Sequence, residues 1–153
     1  MVLAALAARE GSLAVVETFT VGQIAHRPSG ARRGLVAHDP AELAATLGLD
    51  GALISGEMSL EKAERVAQAI RRETGASHAL TVLIEVDNGL DRIDFGGNIR
   101  LAISSEEDTE SRCSRIYGGR DWMRVGAVEL GLDCLRGYLQ ALPVTERTDL
   151  ERV

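Results

Sequence analysis

The chain has 153 residues, enough for one domain with a single buried core, and its 45% apolar and 26% charged content lies in the range of globular proteins. Aromatics at 3% leave few stacking faces for single-stranded nucleic acid, and a net charge of −6 lacks the basic footprint that a phosphate backbone requires, so no nucleic-acid partner is expected and any nucleotide would be a small one. No segment approaches the ~18 uninterrupted apolar residues of a membrane span, and the apolar run over 2–8 meets Arg9-Glu10 without a basic leader, which predicts a cytoplasmic protein with no membrane partner.

In chain order, Leu3, Leu6 and Ala7 recur at helical spacing before Gly11, predicting a short amphipathic helix over 2–10. Leu13 to Glu17 is apolar and partly β-branched, as a buried strand should be. Thr18 to Gly22 reads as a turn, and 21–26 as a brief helix stopped by Pro28-Ser29-Gly30. A second strand is expected over 34–38, with Arg32 and Arg33 on a surface loop before it. Asp39 and Pro40 then stand as cap and first residue of a helix that ends at Gly48. The clearest helix runs from Leu60 to Thr74: Ser59 is its N-cap, Gly75 its stop, and Ala63, Val66, Ala67 and Ile70 its apolar stripe.

Strands are expected over 79–86, 98–104 and 112–117, separated by the Asp87-Asn88-Gly89 turn and the acidic loop Glu106-Glu107-Asp108. A last helix over 121–142 ends at Pro143, and the polar tail beyond it should fray. Helices that precede, interleave with and follow strands imply an α/β fold, a three-layer α/β/α sandwich in which 1–142 is a single domain and 143–153 a polar tail. Cys113 and Cys134 show no C-x-x-C spacing and read as buried free thiols. His26, His38 and His78 fall in different elements, so no metal and no cofactor are expected.

Several polar residues admit both a functional and a structural reading. Thr18 and Thr20 could act as nucleophile and phosphate donor, or simply as caps opening the helix at Val21. Glu17 could orient a ligand hydroxyl or cap backbone amides. Arg120 and Arg124 flank a helix start after Gly118-Gly119, where amides, dipole and guanidinium groups favour a phosphate; the alternative is a solvated turn pairing with Asp121 or Glu129. Glu85 and Asp87 could serve as paired carboxylates, although strand-end and turn chemistry accounts for them equally.

Taken together, Val16-Glu17-Thr18-Phe19-Thr20-Val21-Gly22 after an apolar strand resembles the Ala-Glu-Ser-Cys-Thr-Gly-Gly segment of the CinA C-terminal domain family, the nicotinamide mononucleotide amidohydrolases. Further stretches carry the resemblance: Leu35-Val36-Ala37-His38, Leu47-Gly48-Leu49, Ser59 to Ala76, Gly97 to Ile103 and Tyr117-Gly118-Gly119-Arg120. It implies the α/β/α fold, a ligand site that includes Glu17, Thr20 and Gly22, and a small nucleotide or phosphate as ligand. Many members are oligomers, so the resemblance leaves room for a homo-oligomer.

The departures fall on the working residues. Thr18 stands where the family has its serine, which the resemblance makes the nucleophile. Leu43 stands at the lysine that would be its base, and His38, at a tyrosine position, could serve as a substitute base or be a structural or solvent-facing histidine at a strand end. Val82 to Asn88 replaces a Gly-rich pocket loop with β-branched and acidic residues. The expectation is a divergent relative without deamidase activity that retains a weak phosphate site. The alternatives are an active amidohydrolase using Thr18, or an interaction module without a ligand.

Overall fold

The computed structural model describes residues 2–8, 11–18, 20, 24, 31–36, 40–51, 57–88 and 95–144. The elements are α1 (Val2–Ala7), β1 (Leu13–Glu17), β2 (Ala31–Val36), α2 (Pro40–Leu47), α3 (Leu60–Thr74), β3 (His78–Val86), β4 (Gly96–Ser104), β5 (Thr109–Tyr117) and α4 (Arg120–Leu139). Five strands form one mixed sheet in the order β2-β1-β3-β4-β5. β1 pairs in parallel with both β2 and β3, while β3, β4 and β5 form an antiparallel meander.

The strand alternation divides the core into two layers. Leu13 and Val15 of β1, Leu80 and Val82 of β3, and Ile99, Leu101 and Ile103 of β4 face α4 and Leu6 of α1. Ala14, Val16, Ala79, Leu83 and Ala102 face the opposite way, onto α3 and Ala44 of α2. This second layer is dominated by alanine, which lets α3 sit close to the sheet. The result is the expected three-layer sandwich. All five residues of β1 are buried, because a central strand flanked by parallel neighbours is covered on both faces.

Local signals explain the best-defined helix. Ser59 Oγ accepts from Lys62 N at 3.2 Å, and Gly75 stops the helix in the left-handed conformation with φ 65°. Two serines join the start of β1 to the start of β3: Ser12 N donates to Ser77 Oγ (2.8 Å), Ser77 N to Ser12 Oγ (3.0 Å) and Ser77 Oγ to Ser12 O (2.9 Å).

Three expectations change. β2 spans Ala31–Val36, so Arg32 and Arg33 lie in a strand, with Arg33 opposite Ala14, and not on a loop. Cys113 is exposed on β5 and only Cys134 is buried, since burial alternates along this edge strand and Arg112, Ser114 and Ile116 take its covered face. At the start of the tail that was expected to fray, Val144 is docked: it is buried, with its N–H bonded to Glu110 Oε2 and its carbonyl to Arg112 Nη1, while 145–153 lie outside the described residues. Among the described residues no helix is long and apolar enough to cross a membrane.

Candidate functional site at the carboxyl edge of the sheet

The chain leaves β1 for β2 on one side and returns to β3 on the other, which makes the carboxyl ends of β1 and β3 a topological switch point. That is where open α/β sheets hold ligands. Glu17, the last residue of β1, is completely buried there. Its Oε2 accepts from Thr20 Oγ1 and from Ile24 N at 3.1 Å. A carboxylate out of water needs such donors, because an uncompensated buried charge costs several kcal/mol (of order) or more. Glu17 and Thr20 are thus brought together as the sequence suggested, but they face inward. The Thr20 hydroxyl donates its hydrogen bond to Glu17 and is not turned out towards a phosphate.

Thr18 is tied to β3 by both its backbone and its side chain. Its N–H donates to Val82 O (3.1 Å), and its Oγ1 accepts from Ile84 N (3.0 Å). It prolongs the β1–β3 ladder and stands 5% exposed. The helix that these threonines were expected to cap falls outside the described residues except for Ile24, and the partners of the two hydroxyls are Ile84 N and Glu17 instead. Gly22 and His38 also lie outside the described residues, as does the side chain of Leu43.

The other expected cluster is the start of α4. Gly119 is its N-cap and, having no side chain, offers the first amides of the helix no side-chain cap. Gly118 has φ 130° and lies under the Trp122 ring, where a Cβ would meet Trp122 Cδ1 at 2.8 Å. Trp122 is 59% exposed and Arg120 is exposed beside it. Arg124 forms an i,i+3 pair with Asp121 at 3.0 Å, the arrangement that the solvated reading anticipated.

Sequence reasoning passed over Arg115. Its guanidinium grips Asp87 with both nitrogens (Nη1 to Oδ1 at 3.2 Å, Nη2 to Oδ2), reaches Asn98 Oδ1 at 3.4 Å, and lies 4.8 Å from the centre of the Tyr117 ring. The hydrogen bond to Asp87 raises the Arg115 pKa further, against a smaller opposing effect of burial. Asp87 Oδ2 also accepts from Gly96 N (3.2 Å), so this carboxylate closes the base of the β3–β4 connection and is not half of an acid–base pair with the exposed Glu85. The register that sets Asn98 between Arg115 and Glu85, with Asp87 two residues beyond Glu85 and bonded to Gly96, was the signal, and it needed the strand pairing to be legible.

A concavity of about 940 Å³ lies at the far end of the sheet between Glu106, Asp108, Glu110, Tyr138 and Pro143. Tyr138 OH bonds Ser105 Oγ (2.8 Å) and the Asp108 carboxylate, while the His78 ring meets the tyrosine edge-on at 6.1 Å. Burial, with Asp108 adding to it, pushes the phenol up to about 12. Among the described residues no three His, Cys, Asp or Glu side chains are grouped to share a metal ion.

No protein-family model matches the chain. A curated relative, the CinA-like protein of Frankia casuarinae, is 29% identical over 157 residues, which cover 97% of this chain and 36% of the relative. The chain therefore spans about a third of that protein's length. Among solved structures, the competence or damage-inducible protein of Enterobacter asburiae superposes with a TM-score of 0.75 at 19% identity, covering 90% of this chain and 91% of that one. A CinA superfamily protein of Escherichia coli gives 0.74 at 17%, covering 92% and 88%. The competence/damage inducible protein CihA of Agrobacterium tumefaciens gives 0.73 at 20%, covering 91% of each chain.

Proposed function

The chain is CinA-like, and from that premise we propose that it is a divergent relative of the nicotinamide-nucleotide amidohydrolases that lacks deamidase activity and keeps at most a weak phosphate or small-nucleotide site. One observation carries the first half of this reading. At the position of the family's serine, the Thr18 hydroxyl spends a lone pair on Ile84 N at 3.0 Å and is almost wholly buried. Attack on a carboxamide needs an exposed oxygen, a base to take its proton and donors for the oxyanion. Strand β3 adds to this, since it continues unbroken to Val86, through the residues that stand in place of the Gly-rich pocket loop. The retained phosphate site is read at the start of α4, which has no side-chain cap, with Arg120 as its exposed cation and Trp122 beside it.

The test is ammonia release from nicotinamide mononucleotide by the purified protein. Release should stay at background, and Thr18→Ser alone should not raise it, because the oxygen remains bonded into β3. Turnover that disappears in Thr18→Val would overturn the reading and favour an amidohydrolase that uses this threonine.

A further inference from the structure

The segment after α4 folds back onto the molecule through a small set of contacts. Gln140 N donates to Arg136 O and Gly137 O (3.2 and 3.0 Å), Ala141 N to Tyr138 O (3.0 Å) and Leu142 N to Gly137 O (2.9 Å). In this turn Ala141 takes φ 59°, the left-handed conformation that glycine adopts at helix ends and that strains a residue with a Cβ. Val144, 2% exposed, is then pinned at both backbone groups, its N–H to Glu110 Oε2 (3.3 Å) and its carbonyl to Arg112 Nη1 (3.2 Å). The same Nη1 lies 3.7 Å from Cys134 Sγ, and Cys134 and Val144 share one core cluster. Ala141 and Pro143 also wall the acidic cleft, and Glu110 belongs both to that wall and to the Val144 anchor.

We propose that residues 140–144 form a strap that opens as a unit, uncovering Cys134 and removing one wall of the cleft while the sheet and α4 stay folded. Among the described residues, what ties it to β5 is one buried valine and two hydrogen bonds at that residue, beside the main-chain bonds of the turn to the last residues of α4. Opposing these contacts is the strained Ala141, and Leu142, half-exposed even when the strap is closed, adds little to hold it. The elements on which it lies are held far more firmly, β5 by a nine-residue ladder and α4 by nine buried residues. Sub-global opening takes place where apolar contacts are fewest, and here both anchoring bonds go to one residue, so they are lost together. In the closed form Cys134 is protected twice. It is covered, and its burial pushes the thiol pKa up, with the nearby Arg112 only partly offsetting this.

Labelling of Cys134 by 5,5′-dithiobis(2-nitrobenzoate) reads the opening directly. The thiolate attacks the disulfide, a protein–thionitrobenzoate mixed disulfide forms, thionitrobenzoate leaves, and the thiol proton passes to solvent. The background is Cys113→Ser, since Cys113 is exposed and would react at once. At low urea the labelling rate should depend only weakly on urea, merging with the global unfolding line at higher concentration. Val144→Ala should raise the low-urea rate roughly tenfold, and Ala141→Gly should lower it about three- to fivefold by relieving the left-handed strain. Hydrogen exchange of the unaltered chain serves as a second measurement: the Leu142 and Val144 amides should exchange well before those of Leu130 and Leu135. A labelling rate that follows global unfolding at every urea concentration, or equal protection of the strap and α4 amides, would overturn the proposal.

Discussion

At the carboxyl edge of β1, Glu17, Thr18 and Thr20 are all turned inward and satisfied by protein donors and acceptors. At the opposite end of the sheet Glu106, Glu107 and Asp108 stand exposed around a cleft, with Tyr138 as their link to the helix layer. The first region carries the motif-like sequence yet behaves as framework. The second carries an acidic run that reads as an ordinary turn, yet it borders a concavity. A polar residue in a familiar pattern is informative about chemistry only once its burial and partners are known, because a buried hydroxyl bonded to a main-chain amide is already committed.

The sharpest way to break this contrast is Glu17→Ala, which strands the Thr20 hydroxyl and the Ile24 amide in a fully buried site. Urea denaturation should show a loss of about 3 kcal/mol, and a loss under about 1 kcal/mol would mean that the edge is open to water after all. Thr18→Val keeps shape and removes only the acceptor for Ile84 N. It should cost about 1.5 kcal/mol, and a neutral substitution would free Thr18 for a chemical role.

At the other end, Tyr138→Phe should cost less than about 1 kcal/mol, because its partners remain near water. The tyrosine also gives a pH signature. Its pKa is raised on folding from 10.0 to about 12, so the neutral phenol favours the folded state, and that contribution is complete below pH 10.0 and lost as pH climbs towards about 12. Melting temperature in this alkaline window should fall less steeply in Tyr138→Phe than in the unaltered chain. Smallest of all, Arg120→Ala should change stability by under about 0.5 kcal/mol while abolishing any salt-sensitive change in Trp122 emission on titration with a mononucleotide. An undiminished response in that variant would remove Arg120 from the phosphate site.

The strand Leu13–Glu17 and the helix Leu60–Thr74 were legible to the residue, because an unbroken apolar run and a capped 3.6-residue period each have a single interpretation. β2 was displaced towards its carboxyl end because Arg32-Arg33 has the composition of a loop, and only pairing with β1 draws it into the sheet. Arg112 was invisible as a core residue: an arginine in a strand suggests the solvent face, and its burial depends on Val144, thirty-two positions away, offering a carbonyl. At the candidate site, sequence found that Glu17 and Thr20 belong together. It could not show that they bond to each other rather than to a ligand, since that choice lies in side-chain direction, on which spacing is silent. The Arg115–Asp87 clamp was missed for a related reason: it exists only once three strands are in register.

The bonds between Ser12 and Ser77 bear on the order in which the chain assembles. The meander of β3, β4 and β5 with α4 joins neighbours in sequence, whereas seating β1 beside β3 closes a loop of 65 residues, fastened at its base by these two side chains. Closing a long loop costs entropy before the contacts can repay it, so the carboxyl half is the natural nucleus and the parallel half the late arrival. Substitutions at Ser12 and Ser77 would then act on the rate of unfolding much more than on the rate of folding, making this serine clasp a determinant of how long the native molecule persists.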